Sequence, residues 1–85
     1  MEHYIYIIYS SAVDRYYIGH SSNPEARLIE HNLGATISTR RGKPWKLVYK
    51  EKLADKTSSI KRENYIKRMK SRKYIETLIR NNSIS

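Results

Sequence analysis

The 85-residue sequence contains no cysteine. This absence excludes disulfide scaffolds, thiolate zinc sites, iron–sulfur clusters and cysteine nucleophiles, and it is typical of a reducing compartment. Phenylalanine is also absent, and eight Tyr and one Trp supply the aromatic rings. The longest strongly apolar run, from Tyr4 to Tyr9, is far shorter than the ~20 residues that cross a bilayer. We therefore expect a cytoplasmic protein with no membrane partner.

Acidic residues are scarce, with 8 Asp and Glu against 17 Lys and Arg, a formal net charge of +9. Residues 1–34 hold two basic and four acidic residues, a net charge of −2, whereas residues 35–85 hold fifteen and four, a net charge of +11. The total exceeds the roughly 2–8 charges of a typical small soluble domain. A surface this basic attracts nucleic acid, although a solvated face that aids solubility is the alternative.

The length indicates a single domain. We predict that it spans residues 1–80 and that residues 81–85 form a disordered tail. A chain of this size buries only about 60–65 % of its unfolded surface, so its core is thin. Both a monomer and a homodimer are compatible with such a core.

Three segments have the composition of β-strands. Residues 3–9 and 15–20 are rich in Ile and Tyr, and the short turn at 10–14 between them predicts an antiparallel hairpin. Residues 45–53 alternate apolar and polar side chains, which predicts a third strand.

A first helix is predicted to begin at Pro24, where Ser22 or Asn23 can cap it. Gly34 follows its expected last residue, about Leu33, and suits a helix end. Two arcs of this helix compete to face the sheet: Ala26, Ile29 and Leu33, or Pro24 and Leu28 with Arg27 and His31 beside them.

The rest of the chain is predicted as one loop and two helices. Residues 35–44 have the composition of a mobile basic loop. A long helix is expected at about 56–70, capped by Asp55 or Thr57, and a last helix at about 72–80, with Ser71 as a possible cap. Its inward-facing residues would be Tyr74, Ile75, Leu78 and Ile79. The order β-β-α-β-α-α predicts an α+β fold, a three-stranded antiparallel sheet flanked by helices.

Glu63 is a residue that a plain fold does not require. It lies at the centre of an otherwise apolar stripe of the long helix, with Ile60, Ile66 and Met69 at intervals of three. An unpaired buried carboxylate is costly, so Glu63 must meet a cation, a hydrogen-bond donor or a metal. A salt bridge with one of the many nearby Lys and Arg residues, including Arg62, is the alternative to a functional role.

Arg27 and His31 form an i, i+4 pair on the first helix. They offer a fixed cation and a group that titrates near neutral pH. The alternative is a solvated helix face.

Tyr6 and Tyr17 should project from the same face of the hairpin. If they pair directly, or nearly so, their Cβ atoms lie roughly 4.5–5.5 Å apart, and Gly19 leaves room on that face for something to approach. The alternative is an ordinary pair of packed Tyr residues. His3 and His20 have no partner at metal-ligand spacing in the sequence, and we interpret both as incidental.

Together these positions resemble the GIY-YIG nuclease superfamily, most closely its small stand-alone bacterial members. The two motifs are Tyr4-Ile5-Tyr6 and Tyr17-Ile18-Gly19, separated by residues 7–16. Arg27-x-x-x-His31 and Glu63 follow in the order expected for the family, and the resemblance spans residues 3–80. Tyr4 stands where the family has its first Gly.

The resemblance implies an endonuclease that hydrolyses DNA phosphodiester bonds with one divalent cation, Mg²⁺ or Mn²⁺, on Glu63. Tyr6 is our choice for the general base, while the order of Tyr6, Tyr17 and His31 in the proton transfer stays open. Arg27 would steady the phosphate, because a guanidinium matches it in a bidentate way. The implied catalytic residues are Tyr6, Tyr17, Arg27, His31 and Glu63.

Eight basic residues are predicted to follow the nucleic-acid backbone: Arg40, Arg41, Lys43, Lys67, Arg68, Lys70, Arg72 and Lys73. Backbone contacts position a protein without reading sequence. We therefore expect the substrate to be chosen by its structure, such as a branch or damage, or by a partner protein. Two alternatives are a basic nucleic-acid-binding module with little or no cleavage, and a structural domain that dimerises and binds no nucleic acid.

Overall fold

A computed structural model of the protein describes residues 2–81. Three antiparallel strands form one sheet in the order β2-β1-β3. The strands are β1 (His3–Ser10), β2 (Arg15–Ser21) and β3 (Lys46–Leu53). The helices are α1 (Pro24–Asn32), α2 (Lys56–Met69) and α3 (Arg72–Asn81), with a short 3₁₀ helix at Ile37–Gly42. The α+β fold predicted from the sequence is confirmed, and β2 is an edge strand.

The register of the hairpin shows how the two Tyr residues are related. Tyr6 lies opposite Gly19, and Tyr17 lies opposite Ile8. Positions two residues apart share a face of a strand. Tyr6 and Tyr17 therefore share a face as predicted, but they are diagonal neighbours and not a direct cross-strand pair.

The two faces of the sheet are covered by different helices. On one face, Ile5, Ile7 and Ile18 pack with Ile66 of α2 and with apolar residues of α3. On the opposite face, Tyr6, Ile8 and Trp45 form a second cluster, and partly buried residues such as Leu28 of α1 pack on it. Strand β1 is thus buried on both sides, which explains its nearly continuous apolar sequence.

Helix α1 presents the Pro24 arc to the sheet. Pro24 and His31 are buried, whereas Ile29 is 61 % exposed and Leu33 is 76 % exposed. The side-chain oxygen of Asn23 accepts a hydrogen bond from the Ala26 backbone N–H at 3.2 Å, which makes Asn23 the cap. The sequence did not decide which of two arcs of α1 faces the sheet. Packing against the cluster of Tyr6, Ile8 and Trp45 selects the Pro24 arc.

The basic segment at 35–44 is more regular than the loop predicted from its composition. It contains the 3₁₀ helix, and Thr39 and Gly42 within that helix are buried. The Trp45 indole N–H donates to the Thr39 carbonyl at 2.7 Å. A Cβ at Gly42 would lie 2.3 Å from the Trp45 ring. Trp45 therefore holds this segment against the sheet, an anchor that local composition does not reveal.

Helices α2 and α3 begin and end close to their predicted positions. Asp55 caps α2 by accepting from the Ser58 backbone N–H at 2.8 Å. The predicted stripe is only partly buried, because Ile66 is covered while Ile60 and Met69 are exposed. In α3, Tyr74, Ile75, Leu78 and Ile79 pack on the core as predicted.

The chain ends beyond α3. Asn81, expected in the tail, is the last residue of α3, and the rest of that predicted tail, residues 82–85, lies outside the described residues. None of the helices within residues 2–81 has the length and apolar character needed to cross a bilayer.

Candidate active site

The Tyr6 side chain lies across the edge strand β2 in the space that Gly19 provides. A Cβ at position 19 would lie 2.6 Å from both Cζ and the hydroxyl oxygen of Tyr6. Real Cβ atoms do not approach other atoms this closely, so the ring can occupy this position only beside a glycine. The pairing of Tyr6 with Gly19 thus brings the phenol to the β2 edge of the sheet.

A buried chain of hydrogen bonds continues from the Tyr6 phenol into α1 and the 3₁₀ helix. The Tyr6 hydroxyl lies 2.9 Å from Nε2 of His31, and Nδ1 of His31 lies 2.7 Å from Oγ1 of Thr39. The Thr39 hydroxyl lies 3.3 Å from the Thr36 carbonyl oxygen. All three side chains are buried.

The last bond sets the direction of the whole chain. A carbonyl oxygen only accepts, so the Thr39 hydroxyl donates to Thr36 and accepts from Nδ1–H of His31. Nε2 of His31 then carries the lone pair and accepts from the Tyr6 hydroxyl. His31 is therefore arranged as a proton acceptor for Tyr6.

The surroundings favour neutral forms of both groups. Burial lowers the pKa of His31 below its ordinary 6.5, and the Arg27 charge lowers it further. Burial also raises the pKa of Tyr6 above 10.0, an effect that Arg27 opposes without cancelling. Arg27 alone is thus insufficient to make the Tyr6 phenol acidic, and His31 supplies the nearby base.

Arg27 and Tyr17 complete the α1 side of the site. Arg27 is half-buried, forms an ion pair with Glu30, and acts on the pKa of Tyr6. The Tyr17 ring meets His31 edge-on at a centroid distance of 5.1 Å, and it meets Trp45 at 6.5 Å. The structure thus brings together four of the candidate residues on one face of the sheet: Tyr6, Tyr17, Arg27 and His31.

Glu63 approaches from α2, the helix that covers the opposite face. Its side chain is 14 % exposed, and its Oε2 accepts from Nζ of Lys67 at 2.5 Å. Its Oε1 is buried and has no hydrogen-bond partner within residues 2–81. The negative charge of Glu63 is also close enough to raise the pKa of Tyr6, although less than burial does. The salt bridge considered from the sequence exists, but it satisfies only one of the two carboxylate oxygens.

Two histidines that the sequence analysis set aside lie beside Glu63. Nε2 of His20 is 4.0 Å from Oε1 of Glu63, and Nδ1 of His20 is 3.0 Å from Nε2 of His3. Their interpretation as incidental residues stays untested, but the structure gives both of them a polar neighbour. The signal was hidden because the three residues are distant in sequence and meet only through strand pairing and the packing of α2.

The sequence motifs and this geometry coincide with one known domain. Residues 2–75 match the model of the GIY-YIG catalytic domain. The chain belongs to the GIY-YIG family. This is a family of nuclease type, whose members generally depend on a divalent metal ion.

Several GIY-YIG relatives are similar to this chain over most of their length. A UPF0213 protein of Natronomonas pharaonis is 36 % identical over 67 residues, which cover 78 % of each chain. A UPF0213 protein of Staphylococcus saprophyticus is 33 % identical over 78 residues, 91 % of this chain and 94 % of the relative. The solution NMR structure of the UPF0213 protein BH0048 from Bacillus halodurans has a TM-score of 0.61 and 26 % identity. That alignment covers 99 % of this chain and 88 % of the other.

The basic residues predicted to contact nucleic acid are all at the surface of this GIY-YIG domain. The eight predicted nucleic-acid contacts, Arg40, Arg41, Lys43, Lys67, Arg68, Lys70, Arg72 and Lys73, are exposed. Two of them already have acidic partners, since Lys67 pairs with Glu63 and Arg72 pairs with Asp14 at 2.6 Å. Their contact with nucleic acid stays a prediction.

Arg15 joins this basic surface although the sequence analysis did not include it. It lines a groove together with Lys67, Lys70 and Arg72, between the hairpin turn and the α2–α3 junction. It also lines a neighbouring groove with Arg41 and Trp45. Arg15 lies within residues 1–34, which have a net negative charge. The charge distribution along the sequence therefore did not indicate that Arg15 belongs to the basic surface.

Proposed function

We propose that this protein is a metal-dependent endonuclease that hydrolyses DNA phosphodiester bonds. The observation that carries the proposal is the directed hydrogen-bond chain from Tyr6 through His31 to Thr39. The Tyr6 hydroxyl, at the start of this chain, lies beside Arg27 and within electrostatic reach of Glu63. A base, a cation that binds phosphate and a carboxylate that binds metal are the groups that phosphodiester hydrolysis needs. Membership of a nuclease family supports the same conclusion.

In this mechanism Tyr6 receives the proton of the attacking water as its own proton passes to His31. The Tyr6 hydroxyl already donates to Nε2 of His31, so the proton moves along an existing hydrogen bond. The Thr39 hydroxyl holds the opposite ring nitrogen and fixes the tautomer that can accept. Tyr17, edge-on to the His31 ring, lines the same site and can donate to the water or to the phosphate.

Arg27 is our candidate for the phosphate ligand. Its guanidinium is about one-third exposed, so it can be reached from solvent while it remains close to Tyr6. Its present partner is the carboxylate of Glu30. A phosphate would replace that carboxylate with a similar pair of oxygen acceptors, which a guanidinium binds in a bidentate way.

The residues present fit a single divalent cation held by Glu63. Its Oε1 is buried and lacks a hydrogen-bond partner among the described residues, as expected for an oxygen reserved for a ligand. No three His, Asp or Glu side chains of residues 2–81 form a closed metal cage. One carboxylate, supplemented by water and substrate, is the coordination typical of Mg²⁺ and Mn²⁺ at phosphate-processing sites. When bound, the cation neutralises charge on the phosphate and on the leaving oxygen.

The exposed basic surface would bind the DNA backbone. The grooves that share Arg15 provide a continuous cationic path past the β2 edge, with Arg41 in one and Lys70 in the other. Such contacts carry no sequence information, so we propose a structure-directed or partner-directed substrate choice. Binding is expected to weaken steeply as salt rises.

The test is a cleavage assay on plasmid, single-stranded, flap and four-way-junction DNA with Mg²⁺, Mn²⁺ or EDTA. Tyr6→Phe keeps the ring and removes only the hydroxyl, and Glu63→Gln keeps the shape and removes the charge. We expect each to reduce metal-dependent cleavage on the order of 10²-fold or more. Tyr65→Phe and Glu76→Gln change the same chemical groups at residues outside the site, and both should cleave like the wild type.

The competing function is a nucleic-acid-binding module without cleavage. Its specific support is that Arg27 and Glu63 are both engaged in ion pairs. Salt-sensitive DNA binding with no metal-dependent cleavage of any substrate would establish it. Cleavage that survives Glu63→Gln would overturn the assignment of the site.

A further inference from the structure

The mechanism above leaves His20 and His3 without a role, although they are placed in line with Glu63. His20 lies on the face of β2 that α2 covers, opposite Ile5 of β1. Its Nε2 is directed toward Oε1 of Glu63 at 4.0 Å, and its Nδ1 contacts Nε2 of His3 at 3.0 Å. The line of groups therefore ends at a buried carboxylate oxygen that has no hydrogen-bond partner within residues 2–81.

We propose that Nε2 of His20 is a second protein ligand, beside Glu63, of the divalent cation, and that it gives the site a preference for transition-metal dications over Mg²⁺. This inference rests on the proposed function, because that function places the cation on Glu63. It adds a ligand from β2 to a site otherwise built on α2.

The spacing of the two atoms agrees with a shared ion better than with a direct bond. A distance of 4.0 Å is too long for a hydrogen bond between Nε2 of His20 and Oε1 of Glu63. An ion that binds nitrogen and oxygen donors at ~2.0–2.2 Å can contact two donors up to about 4.4 Å apart. The other oxygen of Glu63 is held by Lys67, which leaves Oε1 as the oxygen available to an ion.

His3 supplies the support that a histidine ligand requires. A histidine that binds metal through one ring nitrogen usually donates its other ring N–H to an acceptor, which fixes the tautomer and the ring orientation. Nδ1 of His20 has such a partner in Nε2 of His3.

The chemistry of the two donors leads to the metal preference. Mg²⁺ strongly prefers oxygen ligands and retains several waters, whereas imidazole nitrogen favours first-row transition metals. A site with Glu63 alone would discriminate little between Mg²⁺ and Mn²⁺. A site with Glu63 and His20 should bind Mn²⁺ more tightly.

The test is pulsed electron paramagnetic resonance of Mn²⁺ bound to the intact protein, combined with titrations of Mn²⁺ and Mg²⁺ followed by calorimetry. The wild type should show a ¹⁴N coupling from a directly bound imidazole and should bind Mn²⁺ at least tenfold more tightly than Mg²⁺. His20→Asn keeps an amide nitrogen near the position of Nδ1 but has no counterpart of Nε2. It should abolish the coupling and weaken Mn²⁺ binding about tenfold, while Mg²⁺ binding changes little.

Two further variants distinguish the loss of a metal ligand from an indirect effect of the substitution on the structure. His3→Ala should retain the ¹⁴N coupling with a smaller loss of Mn²⁺ affinity, because His3 only positions the ligand. Glu76→Gln, which removes a carboxylate on α3, should change neither measurement. The spectrum of the wild type needs no variant, so it decides the question even if His20→Asn folds poorly.

The outcomes distinguish this inference from the proposed function. Mn²⁺ that binds through Glu63 with no ¹⁴N coupling, together with cleavage retained in His20→Asn, would overturn the His20 ligand and leave the nuclease intact. Failure of the wild type to bind either ion would overturn both. The third outcome is a wild type that shows the ¹⁴N coupling but cleaves no DNA, with the coupling lost in His20→Asn. This result would confirm His20 as a ligand and overturn the proposed nuclease function.

Discussion

The two faces of the sheet differ, near the β2 edge, in how completely their polar side chains are hydrogen-bonded. On the α1 face, Tyr6, His31 and Thr39 are buried, and each polar side chain has a partner. On the α2 face, Glu63 has one paired oxygen and one buried oxygen without a partner among the described residues. The difference teaches that the polar groups of the α1 face satisfy one another through the packing of α1 and the 3₁₀ helix, whereas Glu63 is only half satisfied by its own helix. Under the proposed function, the first arrangement serves proton transfer and the second serves cation binding.

The largest effect is expected from Gly19→Ala, which would break the α1 side. The new Cβ would lie 2.6 Å from the Tyr6 hydroxyl oxygen, so the phenol must move away from its place at the β2 edge. We expect cleavage to fall on the order of 10²-fold or more and the free energy of unfolding to fall by about 1–3 kcal/mol. Cleavage assays and urea denaturation measure the two effects.

Gly34→Ala is the matched control for that substitution. Gly34 has φ of 81°, so an alanine there is strained, but its Cβ would meet only the flexible side chains of Lys43 and Arg40, at 3.4 Å or more, and none of the five candidate catalytic residues. It should lower stability by ~1 kcal/mol while cleavage is retained. Equal loss of cleavage in both variants would indicate that stability, and not the position of Tyr6, limits activity.

Thr39→Val tests the direction of the hydrogen-bond chain. The valine has nearly the same shape, but Nδ1–H of His31 would lose its acceptor inside the protein. We expect a loss of about 1–3 kcal/mol in stability, and cleavage lowered roughly 10–100-fold as the His31 tautomer becomes mixed. Thr39→Ser keeps the hydroxyl and should restore most of both. A Thr39→Val protein with wild-type cleavage would contradict the role of Thr39.

The pH dependence of stability gives a smaller, quantitative test of the same chain. Because the pKa of His31 in the folded protein is below 6.5, the unfolded chain binds the proton first as the pH falls. The His31 contribution is therefore complete above about pH 6.5 and is lost below it, by at most about 1.4 kcal/mol per pH unit.

Chemical denaturation of the wild type and of His31→Gln between pH 5 and 8 measures this contribution. The substitution should flatten the acidic part of the profile. The wild type should lose cleavage only at a lower pH than the one at which stability begins to fall, because Nε2 of the folded protein is protonated below pH 6.5 and then cannot accept from Tyr6. A profile unchanged by His31→Gln would show that His31 is not the group that titrates.

The smallest effect is expected from Lys67→Gln, which would sharpen the contrast on the α2 side. The Lys67–Glu63 pair is an i, i+4 pair with a half-exposed ammonium, so its removal should change stability by less than about 0.5 kcal/mol. Without the competing ammonium, Glu63 should bind Mn²⁺ a few-fold more tightly by calorimetry. Lys73→Gln, at an exposed position outside the site, is the control. Weaker Mn²⁺ binding in Lys67→Gln alone would mean that Lys67 supports the site.

Much of the fold could be predicted because its signals are local. Asn23 and Asp55 cap the helices as their side-chain chemistry predicts, and the apolar positions of α3 follow its 3.6-residue period. The five candidate catalytic residues were identified through the resemblance of their motifs to the GIY-YIG family, and their roles stay predictions. The 3₁₀ helix was missed because its buried Thr39 and Gly42 depend on Trp45, whose ring covers them.

The sequence by itself determined the strands, the helices and the identity of the groups that could act on a phosphodiester. Those properties depend on side-chain chemistry and on periods of two and 3.6 residues, which are written along the chain. Only the tertiary structure decided that Tyr6 lies on Gly19, that Thr39 orients His31, and that His20 lies next to Oε1 of Glu63. Such contacts depend on strand register and on the packing of helices on opposite faces, and a shift of one residue in register would reverse the direction of every side chain concerned.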